Sequence, residues 1–479
     1  MPAQRNNMLE STAQVVTNWA EKWFPDSYIF AALAVVVVAM GAVIIGSPVM
    51  QVGIAFGNGY WSLITFTMQM VMVAISGYVL AVSPPAAALI TWLAKLPRSG
   101  RWAAAFVALI SILTSLISWA LSLIFAGLLV RALARRTDLR IDYRAAGAAA
   151  YLGIGATWAL GISSSAAQLQ ANPASLPPNL LAITGVLPFS QTIFLPQSML
   201  MALIILVASV AIAYFSAPHD INARTAAELD IDVQDDAEIT AEINQEMATT
   251  HNRPGDWLER SPLVTILIVG LGSLWLWQEF TSKHPIVAIT NLNSYNFLFL
   301  FLAMLCNWRP ARFLKAVSQS IPSIIGILIQ YPLYGGIAYI LTHASNIDGH
   351  TLAHYISEFF VAISTHTTFP GVIGIYSAIL GFFVPSGGGK WIIEAPYVMQ
   401  AAIDLKVHLG WAVTIYNAAE ALPNLINPFW MLPLLGILRL RACDIVGYTF
   451  VQFILHVPLV LFLLVALAGT LTYLPPVMP

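Results

Sequence analysis

The chain has 479 residues, of which 58% are hydrophobic and 9% are charged, and its formal net charge is −2. A soluble domain carries roughly 25% charged residues, so a chain this apolar is expected to use lipid as its solvent. The near-neutral charge gives no support to a polyanionic partner, and we expect no binding of nucleic acid.

Nine apolar stretches are candidates for membrane spans, each of which takes about 20 residues of helix. The polar residues 1–27 predict a cytoplasmic N-terminal segment. The apolar run that follows is expected to be a retained span rather than a signal peptide, because no small-residue cleavage pattern ends it. The nine predicted spans cover residues 28–48, 60–82, 145–169, 196–214, 262–277, 297–308, 321–341, 411–438 and 445–471.

Residues 102–130 are apolar but do not fit a simple span. Lys95, Arg98 and Arg101 precede this stretch, and five arginines follow it closely. Basic short loops mark the cytoplasmic side, so both flanks are expected there. Because 29 residues are too few for two crossings, the stretch predicts a hairpin that enters from the cytoplasm and returns. Ser118 lies near its middle, where hydroxyl groups can satisfy the backbone at a turn.

The apolar region around residues 370–402 predicts a second hairpin. The loops on either side of it hold one lysine between them, and the loops at 49–59 and 170–195 hold none, so these loops are expected outside. The second hairpin would therefore enter from the outside.

The order of elements then repeats with reversed sidedness after one extra span, and such inverted repeats are typical of secondary transporters. We predict an all-α polytopic membrane protein with inverted repeats, about nine spanning helices, two opposed re-entrant hairpins and two broken helices. The first repeat would cover residues 28–216, and residues 262–479 would hold the extra helix and the second repeat. Between them, residues 217–261 contain eleven of the 23 acidic residues and predict a solvated cytoplasmic linker.

The stretch "VPSGGGKWIIE" predicts the tip of the second hairpin. Pro385 would end the incoming helix, and Ser386 would cap the outgoing one. Three glycines (Gly387, Gly388 and Gly389) leave the first N–H groups accessible, and the positive end of a helix attracts anions such as carboxylates. Lys390 either contacts a substrate or is neutralised by Glu394 one turn later. The nucleotide-binding pattern GxxxxGK[ST] fails, because a tryptophan follows the lysine.

Two predicted spans are interrupted by glycine, serine, proline and asparagine. The first break, at residues 161–173, offers the hydroxyl groups of Ser163, Ser164 and Ser165, although a plain helix end would look the same. The second, at residues 416–430, offers three asparagines and Glu420, an intramembrane carboxylate that is functional by default. Glu420 would take up a proton or help to hold a sodium ion; the alternative is a neutral carboxyl group in the core. The five tryptophans near span ends or breaks are expected to be interface anchors or packing residues: Trp102, Trp119, Trp158, Trp391 and Trp411.

Four segments, "FFVPSGGGKW", "SWALSLI", "GISSSA" and "NLINPFW", together resemble the bacterial short-chain fatty acid transporter family. The resemblance implies a multi-pass carrier in the bacterial inner membrane for monocarboxylates such as butyrate or acetoacetate. It also implies a homodimer with two opposed hairpins. The chain departs from the family pattern at Gly389, Lys390 and Glu394, where a polar uncharged pair is frequent, and at Ser118, where asparagine is common.

We therefore expect a secondary active carrier of short-chain carboxylates that is coupled to a proton or a sodium ion and works by alternating access. A carrier of dicarboxylates or amino-acid conjugates is the alternative, although Lys390 is the one cationic anchor in the predicted core. We do not expect an enzyme, a cofactor or a metal site, because HExxH, GxSxG and paired aspartates in spans are lacking, and the cysteines Cys306 and Cys443 show no CxxC spacing. Predicted substrate-binding residues are Ser118, Ser163, Ser164, Ser386, Gly387, Gly388, Gly389, Lys390, Asn424 and Asn427, and predicted coupling-ion residues are Glu420, Ser165 and Asn417.

Overall fold

A computed structural model describes residues 8–23, 26–171, 176, 178–219, 221–233, 254–283, 285, 288 and 291–476. Over these residues the chain is helical, and the one isolated β-bridge joins Ser345 to Thr351. The first seven residues of the N-terminal segment lie outside the described residues. So do residues 234–253, the most acidic part of the predicted linker.

The α-helices are numbered in chain order. Those before the linker are α1 (Met8–Trp23), α2 (Ser27–Ile44), α3 (Val49–Ser62), α4 (Ile64–Ala81), α5 (Pro84–Ala94), α6 (Gly100–Ser115), α7 (Trp119–Ala134), α8 (Tyr143–Leu152), α9 (Ser165–Ala171), α10 (Pro178–Thr184) and α11 (Pro196–Ser216). Those after it are α12 (Pro254–Arg260), α13 (Leu263–Ser282), α14 (Leu292–Asn307), α15 (Pro310–Ser320), α16 (Ile325–His343), α17 (Leu352–Ala362), α18 (Phe369–Phe383), α19 (Gly387–Asp404), α20 (Leu409–Asn424), α21 (Leu432–Leu438) and α22 (Ala442–Ala468).

The described residues contain seven helices, or helix combinations, that are long and apolar enough to cross a membrane, and the bent pair of α20 and α21 makes an eighth. These correspond to eight of the nine predicted spans, and the chain is a multi-pass membrane protein. The ninth prediction, residues 297–308, falls in α14. The 16 residues of α14 span about 24 Å, which is less than the thickness of about 30 Å of the hydrocarbon core of a bilayer.

The predicted outer loop at residues 49–59 is wrong, because the structure forms α3 there. This helix packs closely on α16 where Gly59 meets Gly335, and a Cβ on either glycine would collide with the backbone of the other. Small residues allow such close backbone approach between helices in a membrane. The search for apolar stretches missed this helix because α3 is less apolar than α2 and α4, which flank it.

The first hairpin consists of α6 and α7, and its two ends lie together. The Arg136 guanidinium donates to the carbonyl of Ala94 (2.9 Å) and to that of Pro97 (2.6 Å), so the chain leaving α7 is tied to the chain entering α6. The turn between the helices ends at Ser118, whose Oγ accepts from the amide of Leu121 (3.4 Å). The stretch therefore folds back on itself.

The second hairpin consists of α18 and α19. Its ends are also joined, since His366 Nδ1 donates to the carbonyl of Leu405 (2.8 Å). The chain breaks at residues 384–386, and Ser386 Oγ accepts from the amide of Gly389 (3.2 Å). The predicted N-cap role of Ser386 is confirmed.

Helix α11 shows that the two hairpins start from opposite ends of the molecule. Arg101, at the first hairpin, donates through Nε to the carbonyl of Ala217 (2.8 Å), directly after the C-terminus of α11. Gly410, just beyond the second hairpin, packs against the carbonyl of Gln191, a few residues before the N-terminus of α11. The 21 residues of α11 span about 31 Å, so the two hairpins approach the middle from opposite sides.

Candidate substrate and coupling site

The first broken span changes helix type where it reaches the hairpin. A π-helix covers Gly153–Thr157 and a 3₁₀ turn covers Trp158–Leu160 before the chain turns into α9. Gly161 lies in this turn against the backbone of Leu116, at the tip of the first hairpin, where a Cβ would collide with the Leu116 carbonyl. Glycine is therefore required for the close approach of the break to the tip.

The second broken span bends by 74° between α20 and α21. A 3₁₀ turn covers Phe429–Met431 after the bend, and Pro423 lies in the last turn of α20. Proline removes a backbone donor and disrupts the regular helix, so the bend follows from the sequence.

Side chains of each break satisfy backbone groups at a hairpin tip. Ser163 Oγ donates to the carbonyl of Ser115 (2.5 Å) at the end of α6. Asn427 Nδ2 donates to the carbonyl of Phe382 (2.6 Å) near the end of α18. Within a bilayer, non-helical backbone needs such internal partners, so these contacts explain how the chain tolerates two breaks at membrane depth.

The two breaks are also bonded to each other. Asn424 Nδ2 donates to the carbonyl of Ile154 (3.2 Å), in the π-helix, and Tyr151 Oη donates to the carbonyl of Asn424 (3.0 Å). Ser164 Oγ donates to Asn417 Oδ1 (2.9 Å). The breaks therefore form one polar layer across the core.

Both hairpins and both breaks border one cavity of about 190 Å³. Among the described residues that line it, none is charged. The lining residues are Phe66, Trp119, Ile154, Trp158, Ser165, Ser386, Gly387, Gly388, Gly389 and Trp430.

The N-terminus of α19 forms the polar wall of this cavity. The Gly389 amide donates to Ser386 Oγ. The amides of Gly387 and Gly388 donate to no acceptor within the described part of the chain. The carbonyl of Gly387 accepts a hydrogen bond from Tyr416 Oη (2.6 Å), which holds the tip against α20. The free amides and the helix dipole suit a negatively charged group.

A cluster of buried charges lies one turn behind the tip. Lys390 Nζ lies 2.8 Å from Glu394 Oε1 and 2.7 Å from Glu420 Oε2, and all three side chains have no exposed surface. Lys390 also donates to the carbonyl and the Oγ of Ser377, each at 2.8 Å, and lies over the Tyr416 ring. One buried ammonium therefore faces two buried carboxylates.

Comparison with known proteins identifies the family. The sequence pattern of the family described as "Short chain fatty acid transporter" matches residues 8–467. The chain belongs to the short-chain fatty acid transporter family. It is 29% identical over 448 residues to a protein of Escherichia coli (strain K12) provisionally named a short-chain fatty acid transporter, covering 92% of this chain and 96% of that one. A protein of Haemophilus influenzae (strain ATCC 51907 / DSM 11121 / KW20 / Rd) with the same provisional name is 27% identical over 458 residues, covering 94% and 98%.

Two solved structures show a weaker likeness. The YdaH transporter of Alcanivorax borkumensis, described as having an unusual topology, is 15% identical and covers 94% of this chain and 100% of that one, with a TM-score of 0.41. MtrF of Neisseria gonorrhoeae, described with a class of antimetabolite efflux pumps, is 13% identical and covers 98% of both chains, with a TM-score of 0.38. With TM-scores under 0.5, these likenesses support no conclusion on fold or transport.

Some of the predicted site residues lie together. Five of them line the cavity: Ser165, Ser386, Gly387, Gly388 and Gly389.

Others take different positions. Ser118 caps α7 next to the lining residue Trp119. Four residues instead hold the breaks and tips together: Ser163, Ser164, Asn424 and Asn427. Lys390 lies behind the cavity wall and not in it, since two carboxylates surround its ammonium.

The predicted coupling-ion residues have different partners in the structure, and their role as one ion site stays a prediction. Glu420 pairs with Lys390, whereas Asn417 accepts from Ser164 and Ser165 lines the cavity. No hydrogen bond joins Ser165 or Asn417 to Glu420 in the part of the transporter that the structure describes.

Sequence reasoning missed four residues of this region: Ser377, Tyr416, Trp158 and Trp430. The interpretation of Trp119 and Trp158 as anchors or packing overlooked that both line the cavity. The available signal was position, because Trp158 and Trp430 lie inside the two interrupted segments, whereas interface anchors lie at span ends. Ser377 carried no such signal.

Proposed function

We propose that this transporter carries short-chain monocarboxylates, of which butyrate and acetoacetate are examples, together with protons by alternating access. The observation that carries the proposal is the uncharged cavity of about 190 Å³ that both hairpins and both broken spans border. Elements that meet from opposite faces at the middle of the membrane suit a site that opens to one side at a time.

The carboxylate of the substrate would bind at the N-terminus of α19. The Gly387 and Gly388 amides are free to donate, and glycine lets a ligand approach the backbone closely. The acyl tail would lie against the apolar wall formed by Phe66, Trp119 and Ile154.

Charge counting favours a monocarboxylate over a dicarboxylate. A second carboxylate would need its own cationic or donor-rich partner, because an unpaired charge away from water is costly. The cavity wall has no charged residue among those described, and Lys390 already forms ion pairs with two glutamates.

The cluster behind the tip supports a proton as the coupling ion. With both glutamates ionised, the cluster carries one excess negative charge in the interior of the membrane, and a bound cation would remove it. The Lys390 ammonium already occupies the position between the two carboxylates that a metal ion would take. A proton on one carboxyl group, for which we propose Glu420, therefore completes the charge balance.

Proximity would couple the proton to the substrate. Lys390 belongs to the first turn of α19, whose amides bind the carboxylate, and Tyr416 contacts both Gly387 and the lysine. When Glu420 is ionised, the excess negative charge repels a substrate anion; when Glu420 is protonated, the anion and the helix end attract each other. Proton and carboxylate would thus bind together, and a homodimer is the assembly that we propose from the family resemblance.

Transport into proteoliposomes tests this function. Labelled butyrate should accumulate when the pH is lower outside than inside. A sodium gradient at equal pH should give no accumulation. The Glu420→Gln variant, which mimics the protonated state, should still exchange internal for external butyrate but should not accumulate it. The control is Glu358→Gln, which changes a carboxylate with 60% exposure and should behave like the unchanged protein. Accumulation by the Glu420→Gln variant, or accumulation driven by sodium alone, would contradict the proton mechanism, and an absence of butyrate exchange would contradict the substrate.

A further inference from the structure

A second pocket, of about 460 Å³, lies at the same end of the molecule as the ends of the first hairpin. Glu21 in its wall pairs with Arg144 (2.6 Å), at the start of α8, which follows that hairpin. The wall also holds three further charged side chains, those of Asp26, Arg439 and Arg441. Charged groups are rarely withdrawn from water, so this pocket is a water-accessible one, and we name it the inner pocket.

Two segments connect the inner pocket with the central cavity that both hairpins border. On α16, Gly326 and Gln330 lie one turn apart and line the inner pocket. On the second break, Leu432 lines the inner pocket, and Trp430, two residues earlier, lines the central cavity. The side chains next to these lining residues therefore separate the two spaces.

A layer of buried aromatic rings occupies this separation. Tyr331 follows Gln330 and stacks on Phe429 with the ring centroids 4.0 Å apart. Tyr334, one turn after Gln330, packs edge-on against the same Phe429 ring at 4.7 Å. Trp430 contacts Phe429 at 5.0 Å and carries the layer to the central cavity. We name these four residues the aromatic layer; each is 5% exposed or less, so the layer is closed in this structure.

The aromatic layer is carried by two segments whose backbone is irregular. Pro332 directly follows Tyr331 inside α16 and cannot donate to the carbonyl of Leu328, which weakens the helix at this point. Phe429 and Trp430 belong to the 3₁₀ turn that follows the 74° bend of the second broken span. Both sides of the layer can therefore shift without the loss of a regular helical turn.

One side chain ties the aromatic layer to the tip of the second hairpin. Asn427 Nδ2 donates to the carbonyl of Phe382 (2.6 Å), near the end of the incoming helix. Asn427 Oδ1 accepts from Tyr334 Oη (3.1 Å) and from the amide of Phe429 (2.9 Å). A movement of the hairpin tip is thus transmitted to two members of the layer.

We propose that the inner pocket is the cytoplasmic opening of the transport path and that the aromatic layer is the gate between this opening and the carboxylate site. This inference rests on the proposed function and adds the route by which the substrate anion passes on the cytoplasmic side. The gate opens when the Phe429 ring separates from Tyr331 and Tyr334. Because Asn427 joins these rings to the hairpin that binds the carboxylate, departure of the substrate and movement of the gate are linked.

A cysteine in the central cavity reports whether the gate is open. Ser165→Cys, in a variant without Cys306 and Cys443, is reconstituted into proteoliposomes. Its rate of reaction is measured with an impermeant sulfonate-bearing methanethiosulfonate, an anion like the substrate, added from the cytoplasmic side. Tyr331→Ala removes three ring contacts that favour the closed layer, so it should raise this rate about tenfold. A rate that Tyr331→Ala leaves unchanged would overturn the inference.

Two matched tyrosine variants separate the gate from a general effect on α16. Tyr339→Ala removes a ring of the same helix that stacks on His343 and not on the layer, so the rate should stay the same. Tyr331→Phe keeps the ring and removes a hydroxyl group that makes no hydrogen bond within the part of the transporter that the structure describes, so it should also leave the rate unchanged. Tyr331→Leu keeps an apolar side chain of useful size, which guards against a folding defect, and should raise the rate as Tyr331→Ala does.

A cysteine in the inner pocket tests the opening itself. At Gly326 a Cβ would meet no atom closer than 3.4 Å, so Gly326→Cys fits the fold. It should react from the cytoplasmic side at the same rate with and without Tyr331→Ala, because it lies before the gate. No reaction from that side would overturn the assignment of the inner pocket.

A cross-link tests whether the gate must open during transport. In the variant Tyr331→Cys with Phe429→Cys, a short bifunctional methanethiosulfonate should stop butyrate exchange, and a reducing agent should restore it. Exchange that continues across the bridged gate would overturn the inference while the proposed function stands. If Tyr331→Ala opens the cavity as expected but the unchanged protein exchanges no short-chain acid, the gate stands and the proposed substrate fails.

Discussion

Lys390 Nζ lies 2.7 Å from Glu420 Oε2, and this ion pair joins the outgoing helix of the second hairpin to the second broken span. Both side chains are fully buried. Gly381 of the incoming helix leaves room for the pair, since a Cβ there would lie 2.9 Å from the Glu420 carboxylate. Three segments of the second half thus meet at one charge cluster.

Removal of the lysine should destabilise the protein strongly. Lys390→Met would leave two buried carboxylates without a cation, and breaking a buried pair in this way costs about 3–5 kcal/mol. The loss should be measured by unfolding in detergent with increasing sodium dodecyl sulfate.

The matched control for this prediction is another lysine that pairs with a glutamate four residues away. Lys283 contacts Glu279 but is 44% exposed, so Lys283→Met should change stability by less than about 1 kcal/mol. The double variant Lys390→Met with Glu420→Gln should regain part of the loss, because it removes one of the uncompensated charges. Equal effects of the two lysine variants would show that the cluster does not stabilise the fold.

The glycines of the tip should differ in their tolerance of a methyl group. A Cβ at Gly387 would collide with the Trp158 indole, whereas at Gly388 the nearest atom would be Ser165 Cβ at 3.4 Å. Overpacking costs about 1–3 kcal/mol, so Gly387→Ala should lower butyrate exchange about tenfold and Gly388→Ala only a few-fold. Gly270→Ala, with open space around the Cβ, is the control for helical glycines. Equal exchange by the two tip variants would contradict the predicted contact.

The sequence predicts the architecture well, because charge sidedness and span length are strong constraints on a membrane protein. Basic residues on both sides of residues 102–130 and the limited length between them were enough to predict the first hairpin. The helix break at Ser386 could be derived from proline, serine and glycine chemistry alone.

The partners of individual polar residues could not be derived in the same way. The i,i+4 spacing predicted the contact of Lys390 with Glu394, which the structure contains. Its contact with Glu420 depends on how α19 packs against α20, and no local pattern encodes that packing. Likewise, Asn427 and Ser163 were predicted to bind substrate. In the structure their side chains donate hydrogen bonds to the carbonyls of Phe382 and Ser115. The inverted relation of the two halves stays a prediction.

Replacement of Asn427 should lower the free energy of unfolding by more than the loss of one hydrogen bond would, because its side-chain amide makes three hydrogen bonds. It donates to the carbonyl of Phe382, accepts from Tyr334 Oη (3.1 Å) and accepts from the amide of Phe429 (2.9 Å). Asn427→Ala would leave several buried groups unpaired, so we expect a loss of about 3 kcal/mol in unfolding by sodium dodecyl sulfate. Tyr334→Phe removes one of these bonds and should cost about 1 kcal/mol. A loss for Asn427→Ala no larger than that for Tyr334→Phe would mean that the hairpin tip does not depend on this residue.

The two ends of the first hairpin should emerge on the same side of the membrane, because Arg136 binds the carbonyls of Ala94 and Pro97. Single cysteines at the exposed positions Lys95 and Asp138, in a variant without the native cysteines, should react with an impermeant maleimide from the same side. A cysteine at Asp404, at the end of the second hairpin, should react from the other side, since α11 separates the two hairpin entrances by about 31 Å. Masking with a permeant reagent gives the control for reactivity at each position. Labelling of positions 95 and 138 from opposite sides would show that residues 100–134 cross the membrane, and the two tips could then not meet at one cavity.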